Sequence, residues 1–373
     1  MNKKNDEVIW CSNCLNVSTR PRITFDANGK CNACVWSEKK KSFNWAQKKV
    51  ELVNLLNDMK STSYGYDCIV PVSGGKDGSY VSHQLKKNFG VNPLTVTVRP
   101  ALEIEIGNKN LLSFINSGYD HIHITPNLKV MKFLNKIGFT EMGFPYYGWL
   151  ITVHTAVLRV ATNFNINLIF YGEDGEVEYG GSTETKDKAT YDMEYQRKIY
   201  LEGGYNDILK KTNATESELY FFKFPTKEEC KKVKITHWSY FEPWDSYRNY
   251  LVAKEECGLV EKKDTNLGTF TNFAQNDQAL YDLHTYMMYL KYGFGRATSD
   301  VGIEIRRGAM TRDQALNLVN LYDGQYPDHH KDTYLKYFSI TNEAFDQNLD
   351  KWANKKLFYK DNNCRWKPKF TIK

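Results

Sequence analysis

The sequence predicts an α/β fold built around a doubly wound, mostly parallel sheet. Two observations predict it: short apolar runs alternate with amphipathic segments of helical length, and the first run ends in a glycine-rich turn. Strands that alternate with helices of this length form βαβ units, which give parallel sheets. The strand candidates are Asp67–Val72, Pro93–Val98, His121–Thr125 and Asn167–Tyr171, with a possible fifth strand at Ile235–Trp238.

Helical patterns connect these strands, because apolar residues recur three or four positions apart between them. An amphipathic helix from Trp45 to about Lys60 precedes the first strand, and beyond Glu242 the periodicity is helical. The helix candidates are Ser79–Phe89, Asn108–Asn116, Leu128–Ile137, Trp149–Asn163, Phe270–Tyr292, Arg312–Tyr322 and Asp332–Trp352. We therefore divide the chain into an N-terminal segment (1–40), an α/β domain (60–240) and a C-terminal helical region (241–373).

The N-terminal segment contains two cysteine pairs with the spacing of a metal site. Cys11-x-x-Cys14 and Cys31-x-x-Cys34 are separated by a turn sequence, Asp26–Lys30. This spacing is typical of a zinc ribbon, in which four thiolates close a tetrahedron around Zn²⁺. Because all four ligands come from the protein, the zinc is expected to be structural.

Composition and charge limit the possible partners. The chain has an ordinary hydrophobic content of 41% and no apolar run of about 18 residues, so we expect no membrane span. It shows no secretory leader pattern, which favours a cytoplasmic location. Its net charge of +6 suits an anionic substrate such as a nucleotide but is too small to require a nucleic acid.

The glycine-rich turn after the first strand has the composition of an anion site. Two adjacent glycines allow a ligand to approach the backbone, and the N-terminus of the following helix favours negative charge. In parallel sheets the carboxyl ends of the strands meet at one edge, where ligands bind. The candidate phosphate-binding residues are Ser73, Gly74, Gly75, Lys76, Asp77, Gly78 and Ser79, joined by Arg99 at the end of the second strand.

Two adjacent carboxylates follow the fourth strand. Glu173 and Asp174 lie in a turn flanked by Gly172 and Gly175, at the same predicted edge as the phosphate loop. Carboxylate and phosphate oxygens are the ligands that Mg²⁺ prefers. We therefore expect Asp77, Glu173 and Asp174 to be catalytic residues that support magnesium-bound nucleotide, although a plain polar turn would have the same composition.

The glycine-rich turn resembles the PP-loop of ATP pyrophosphatases, which have a HUP-like α/β fold. These enzymes hold the β- and γ-phosphates of ATP on the loop, transfer AMP to a carbonyl oxygen and release pyrophosphate. Their usual pattern is S-G-G-x-D-S, whereas here Gly78 occupies the final serine position and Ser79 follows it. This departure leaves open whether a serine hydroxyl contacts the nucleotide.

The resemblance extends to the N-acetyl sugar amidotransferase family. The cysteine ribbon before the PP-loop, the stretch Tyr171–Asp174 and the late stretch Tyr286–Arg296 are similar to that family, as are Glu304–Arg306 and Thr311-Arg312. This group makes acetamidino sugars for bacterial surface polysaccharides, including O-antigen in lipopolysaccharide, and nonulosonic acids. The resemblance implies that an acetamido carbonyl on a nucleotide-activated sugar or nonulosonic acid is adenylylated, and that ammonia then displaces AMP.

The resemblance also implies partner proteins. In the family, ammonia comes from a separate glutaminase and a barrel-type channel subunit that resemble the subunits of imidazole glycerol phosphate synthase. The sequence agrees, because it shows no glutaminase signature. Four arginines in the C-terminal region are candidates for binding the substrate's diphosphate, with a solvated basic face as the alternative: Arg296, Arg306, Arg307 and Arg312.

Two other functions compete with this interpretation. A PP-loop enzyme that modifies tRNA, by thiolation or lysidine-type ligation, would be expected to show further clustered cysteines and a strongly basic surface. A zinc-ribbon nucleic-acid binder would show basic and aromatic residues interleaved around the ribbon, whereas only Arg20, Arg22 and Lys30 are basic between Cys11 and Cys34. The amidotransferase is therefore the favoured prediction.

Overall fold

The computed structural model describes residues 8–60, 65–172, 175–201 and 204–372, with a five-stranded parallel sheet at its centre. The strand order β3–β2–β1–β4–β5 places β1 in the middle, and the chain winds outward from it in both directions. This arrangement confirms the predicted doubly wound fold, including its fifth strand. The strands are β1 (Cys68–Pro71), β2 (Pro93–Val98), β3 (His121–Ile124), β4 (Leu168–Tyr171) and β5 (Lys234–His237).

Helices cover both faces of the sheet and make up most of the C-terminal region. Up to β4 they are α1 (Asn32–Lys40), α2 (Trp45–Lys60), α3 (Lys76–Phe89), α4 (Glu105–Asn116), α5 (Leu128–Ile137), a π-helical turn (Gly138–Met142) and α6 (Tyr147–Asn163). After β4 they are α7 (Glu176–Tyr179), α8 (Met193–Ile199), α9 (Tyr205–Lys210), α10 (Ser246–Cys257), α11 (Leu280–Tyr292), α12 (Arg296–Arg306), α13 (Arg312–Tyr322), α14 (Lys331–Phe338) and α15 (Asn342–Trp352). An antiparallel pair, β6 (Phe358–Lys360) and β7 (Trp366–Pro368), follows α15.

The structure differs from the prediction in the C-terminal region. The predicted helix from Phe270 begins only at Leu280, because asparagine side chains before it bond to nearby carbonyls: Asn272 Nδ2 to Lys262 O at 2.8 Å, and Asn276 Nδ2 to Asn272 O at 2.9 Å.

The predicted helix Asp332–Trp352 breaks at Ser339, whose φ of 51° ends α14. The hydroxyl of Thr341 then caps α15.

The α/β core continues past residue 240. Phe241, Trp244 and Cys257 are buried in the same apolar cluster as Val70 and Val81, so α10 packs along α3. This contact brings α10 next to the glycine-rich turn at the start of α3. Over the four described stretches of the chain, no helix is both long and apolar enough to cross a membrane.

Candidate functional site

The glycine-rich turn joins β1 to α3 in a conformation that requires glycine at Gly74. Its φ is +75°, and a Cβ added there would lie 2.3 Å from the backbone nitrogen of Leu111 in α4. Gly75 is the N-cap of α3, has an ordinary φ of −78° and makes no side-chain cap bond. A Cβ on Gly75 would meet only Ser73 Oγ, at 3.3 Å. The turn therefore presents the N-terminus of α3 without a capping side chain, as an anion site requires.

Opposite charges lie side by side in the first turn of α3. Lys76 Nζ contacts Asp77 Oδ2, and the buried amide of Asn249 in α10 donates to Asp77 Oδ1 at 3.2 Å. Arg248 Nη2 donates to the Asn249 side-chain oxygen at 3.2 Å, which fixes the orientation of that amide. Asp77 is therefore held on both oxygens, and Asn249 reaches it from a helix far along the sequence.

The departure at Gly78 has a steric reason. A Cβ at this position would lie 2.9 Å from the carbonyl oxygen of Pro71 and 3.1 Å from the Cα of Val72, because α3 packs closely on the end of β1. Ser79 is fully buried, and its hydroxyl has no hydrogen-bond partner among the residues that the structure describes. Ser79 thus lies in the interior beneath the loop.

The end of β4 approaches the same helix turn. A Cβ on Gly172 would lie 2.7 Å from the carbonyl carbon of Asp77 and from the amide nitrogen of Gly78. The predicted carboxylates Glu173 and Asp174 lie outside the described residues, so their part in magnesium binding stays a prediction. Arg99, at the end of β2, is ion-paired with Glu103 at 2.7 Å and is 40% exposed.

A cavity of about 250 Å³ opens beside the glycine-rich turn, between α3 and the C-terminal region. Its lining includes three cationic side chains, those of Lys76, Arg296 and Arg307, together with the carboxylates of Asp300 and Glu304. Several aromatic rings complete the wall: Tyr179, Trp244, Tyr247, Phe270 and Phe273. A smaller recess lies over Ser73, Gly74 and Gly75, covered by residues 273–277 of the C-terminal region. Cations and flat apolar surfaces in one cavity suit a nucleotide or nucleotide sugar.

The four predicted substrate arginines fall into two pairs. Arg296 and Arg307 line the cavity, where Arg296 Nε is 2.8 Å from Asp300 and Arg307 Nη1 is 3.1 Å from Asp245. Arg306 and Arg312 instead lie against α7 and the N-terminal segment. Arg306 Nη2 donates to the Glu178 carbonyl at 2.7 Å, and Arg312 Nη2 donates to the Cys11 carbonyl at 3.4 Å.

The four ribbon cysteines converge as the spacing predicts. Their Sγ atoms all lie within 4.8 Å of one another and are buried, with 3.7 Å between Cys11 and Cys34 and 3.5 Å between Cys14 and Cys31. A tetrahedron with metal–sulfur bonds of about 2.3 Å has edges of about 3.8 Å, which matches these separations. The residues therefore fit a single metal ion.

Amide groups around the cysteines favour thiolates. The backbone N–H of Cys31 donates to Cys11 Sγ at 3.2 Å, and the side-chain amides of Asn13 and Asn16 donate to Cys34 Sγ at 3.3 Å and Cys31 Sγ at 3.4 Å. Hydrogen bonds among the four thiols lower the pKa of Cys11 and raise the pKa values of Cys14 and Cys34, so it is the amide donors that favour negative sulfur throughout the cluster. A cluster that stabilises negative sulfur is ready to bind a cation.

Helix α12 connects the two sites. Arg296 at its N-terminus lines the cavity beside Lys76, whereas Arg306 at its C-terminus lies close to the thiols of Cys14, Cys34 and Cys31. Burial alone would lower the pKa of Arg306, but the negative charge of these cysteines raises it overall. The ribbon therefore supports one wall of the cavity through α12.

Some site residues could not have been found from sequence patterns. Asn249 and Trp244 belong to no motif, and only the packing of α10 on α3 brings them to the glycine-rich turn. Phe273 lies in a segment that the periodicity assigned to a helix, which concealed its position over the loop. The role of Gly172 could have been predicted from the sequence, because a glycine directly after a buried strand often marks the close approach of another backbone.

Comparisons with known proteins agree with the family resemblance. Residues 267–371 match the model of the C-terminal domain of WbpG-like lipopolysaccharide biosynthesis proteins. An uncharacterized protein, MJ1599, of Methanocaldococcus jannaschii is 34% identical over 89 residues, which cover 24% of this chain and only 32% of that relative.

A solved structure with partial likeness is the U34-tRNA thiolase NcsA from Methanococcus maripaludis with its 4Fe–4S cluster. It is 13% identical, and the superposition covers 81% of this chain and 86% of the thiolase with a TM-score of 0.34, too weak a likeness to support an argument about this site. The family-model match is the informative finding: residues 267–371 are similar to the C-terminal domain of WbpG-like lipopolysaccharide biosynthesis proteins, which supports the resemblance of this chain to the N-acetyl sugar amidotransferase family.

Proposed function

We propose that this protein is an ATP-dependent amidotransferase that converts the acetamido group of an activated sugar into an acetamidino group for a bacterial surface polysaccharide or nonulosonic acid. The observation that carries the proposal is the shared cavity: the PP-loop supplies Lys76, and the WbpG-like domain supplies Arg296 and Arg307. A nucleotide-binding loop and a domain typical of lipopolysaccharide biosynthesis thus face one space. Such a space can hold ATP next to a sugar nucleotide.

The chemistry requires activation because an amide oxygen is a poor leaving group. The acetamido oxygen attacks the α-phosphorus of ATP and pyrophosphate leaves; ammonia then adds to the carbon, and AMP departs with the original oxygen. Asp77, with the predicted ligands Glu173 and Asp174, would hold Mg²⁺ against the phosphates, and the ion would supply charge neutralisation for the departing pyrophosphate. In our proposal Lys76 and the N-terminus of α3 hold the phosphates, while Arg296 and Arg307 hold the sugar diphosphate.

The mechanism needs no covalent nucleophile from this chain. Cys230 and Cys257 are buried, and burial raises the pKa of each thiol to about 11, so both stay protonated at neutral pH. We therefore propose that glutamine is hydrolysed by a separate glutaminase and that a barrel-type subunit delivers the ammonia. Direct delivery is advantageous because ammonia in water at neutral pH is mostly ammonium, which is not a nucleophile.

Pyrophosphate release tests the proposal. The protein is mixed with ATP, Mg²⁺ and high ammonium at raised pH, together with a panel of acetamido nucleotide sugars, and bulk tRNA replaces the sugars in a parallel assay. We expect continuous release that depends on an acetamido sugar, and no more than one pyrophosphate per enzyme when glutamine replaces ammonium in the absence of partners, because adenylylation precedes the step that needs ammonia. Release with tRNA alone would support the tRNA-modifying alternative and overturn the proposal.

A further inference from the structure

Three potential metal ligands meet in the WbpG-like domain, outside both the cysteine cluster and the cavity. Asp282 lies in the first turn of α11, and His329 and His330 lie in the 3-10 turn Asp328–His330 just before α14. Asp282 Oδ2 is 3.1 Å from His329 Nε2 and 3.8 Å from His330 Nε2. One ligand atom from each residue lies within 4.8 Å of the others. Two separate elements thus direct three donors to one point.

The charge balance at this point favours a cation. The Asp282 side chain is only 13% exposed, and its Oδ2 atom faces both imidazole rings. A carboxylate can accept about four hydrogen bonds, whereas each neutral imidazole donates only one. Two histidines therefore leave some lone pairs of the partly buried carboxylate without a donor. A divalent ion would compensate the carboxylate and use the lone pairs of both rings.

The donor set narrows the choice of ion. Two imidazole nitrogens and one carboxylate oxygen suit borderline transition metals such as Zn²⁺, whereas Ca²⁺ and Mg²⁺ prefer oxygen ligands alone. His329 is 53% exposed, so an ion could enter from solvent and retain water in a fourth position.

We propose that Asp282, His329 and His330 bind one Zn²⁺ ion per chain, a second metal site distinct from the four cysteines. The ion joins the first turn of α11 to the turn that precedes α14. Because only residues 278 and 279 separate α11 from the segment 273–277 that covers the glycine-rich turn, this link also anchors one end of that segment.

Zinc titration of the full-length protein tests the proposal, with the ribbon metal left in place. Weakly bound metal is removed with a mild chelator, and Zn²⁺ binding is then measured by competition with a chromogenic chelator. The test variant is His329→Ala/His330→Ala. His123→Ala, which removes an exposed histidine from β3, is the matched control. We expect one additional ion in the wild type and in the control, and at least tenfold weaker binding in the double variant.

Three results would overturn the proposal: equal binding by the double variant, an equal loss in the His123→Ala control, or a second ion that binds the wild type only at millimolar zinc. If the double variant fails to fold, Co²⁺ added to the wild type with its ribbon filled is decisive. A site of nitrogen and oxygen ligands gives visible d–d bands without new sulfur-to-metal charge transfer. New charge-transfer absorption would assign the ion to cysteines and reject the site.

Discussion

The ribbon and the cavity differ in how their residues are brought together. All four ribbon cysteines lie within 24 residues of sequence, and two short turns suffice to bring them together. The cavity instead combines Lys76 with Trp244, Arg296 and Arg307, which become neighbours only after the sheet, α10 and α12 have packed. The residues of a local site can therefore be identified from their spacing in the sequence. For a site made by tertiary packing, the sequence identifies only some of the residues. The predictions below test this contrast, beginning with the largest expected effect.

The first prediction removes a ribbon ligand. Cys31→Ser should abolish metal binding at the ribbon and make the N-terminal segment sensitive to protease, because structural zinc contributes apparent free energies of about 10–16 kcal/mol in small zinc domains. Metal analysis and limited proteolysis provide the measurements. Cys364→Ser, at an exposed cysteine outside the cluster, is the matched control and should retain wild-type metal.

The identity of the ribbon metal is tested in the same samples. We expect zinc, because a 4Fe–4S cluster is larger than a single ion and holds its thiolates farther apart than the 3.5 and 3.7 Å seen here. Iron and sulfide in freshly purified protein would contradict zinc. The absence of any metal would contradict the ribbon.

The second prediction separates binding from folding at the PP-loop. Gly75→Val should abolish ATP binding by calorimetry while the melting temperature stays near that of the wild type, since its φ of −78° is ordinary and only Ser73 Oγ lies near the added Cβ. Gly74→Ala should instead destabilise the fold by about 2–4 kcal/mol, because it adds strain at positive φ and overlap with α4. Normal ATP binding by Gly75→Val would show that the loop is not the nucleotide site.

The third prediction concerns the anchor of α12. Asp323 accepts hydrogen bonds from Gly295 N at 2.8 Å and from Thr298, and burial raises the pKa of its carboxyl to about 6. An unfolded Asp titrates near pH 4, so the folded protein holds this proton more tightly. The resulting stabilisation is complete below about pH 4 and is lost as the pH rises through about 6.

Chemical denaturation of the wild type and of Asp323→Asn at several pH values tests the direction of this pH dependence. The free energy of unfolding of the wild type relative to this variant should rise by about 2 kcal/mol between pH 7 and pH 4, which is most of the effect of a pKa difference of about two units. Asp313→Asn, at an exposed position on α13, should show no such change. A difference that falls on acidification would contradict the account of the anchor.

The fourth and smallest effect is expected at Asn249. Its amide orients Asp77 from α10, so Asn249→Ala should lower the kcat of pyrophosphate release about tenfold, equivalent to about 1.4 kcal/mol, with a smaller change in KM. Asn249→Asp should lower kcat further, because it places a second carboxylate against Asp77. Asn88→Ala, exposed on α3, is the control. If KM rises and kcat is unchanged, Asn249 acts on binding and not on the position of Asp77.

The sequence predicted the elements whose signals are local. Strands β1 to β5, α5 and α13 lie where periodicity placed them, and the cysteines meet as their spacing indicated. The segment 270–279 was wrongly assigned to a helix because side-chain bonds from Asn272 and Asn276 outweigh its apolar periodicity. The four predicted substrate arginines show the same limit of sequence reasoning. They were grouped because they are close in sequence, but Arg296 lies at the cavity and Arg306, at the other end of α12, contacts the Glu178 carbonyl.

The fate of the acetamido oxygen tests the central claim most directly. A substrate sugar labelled with ¹⁸O in its acetamido carbonyl is incubated with the protein, ATP, Mg²⁺ and ammonium, and the products are analysed by mass spectrometry. The account predicts that each acetamidino sugar formed is accompanied by one AMP that carries the label and one unlabelled pyrophosphate. Unlabelled AMP, or label retained in the sugar product, would contradict carbonyl adenylylation in this cavity.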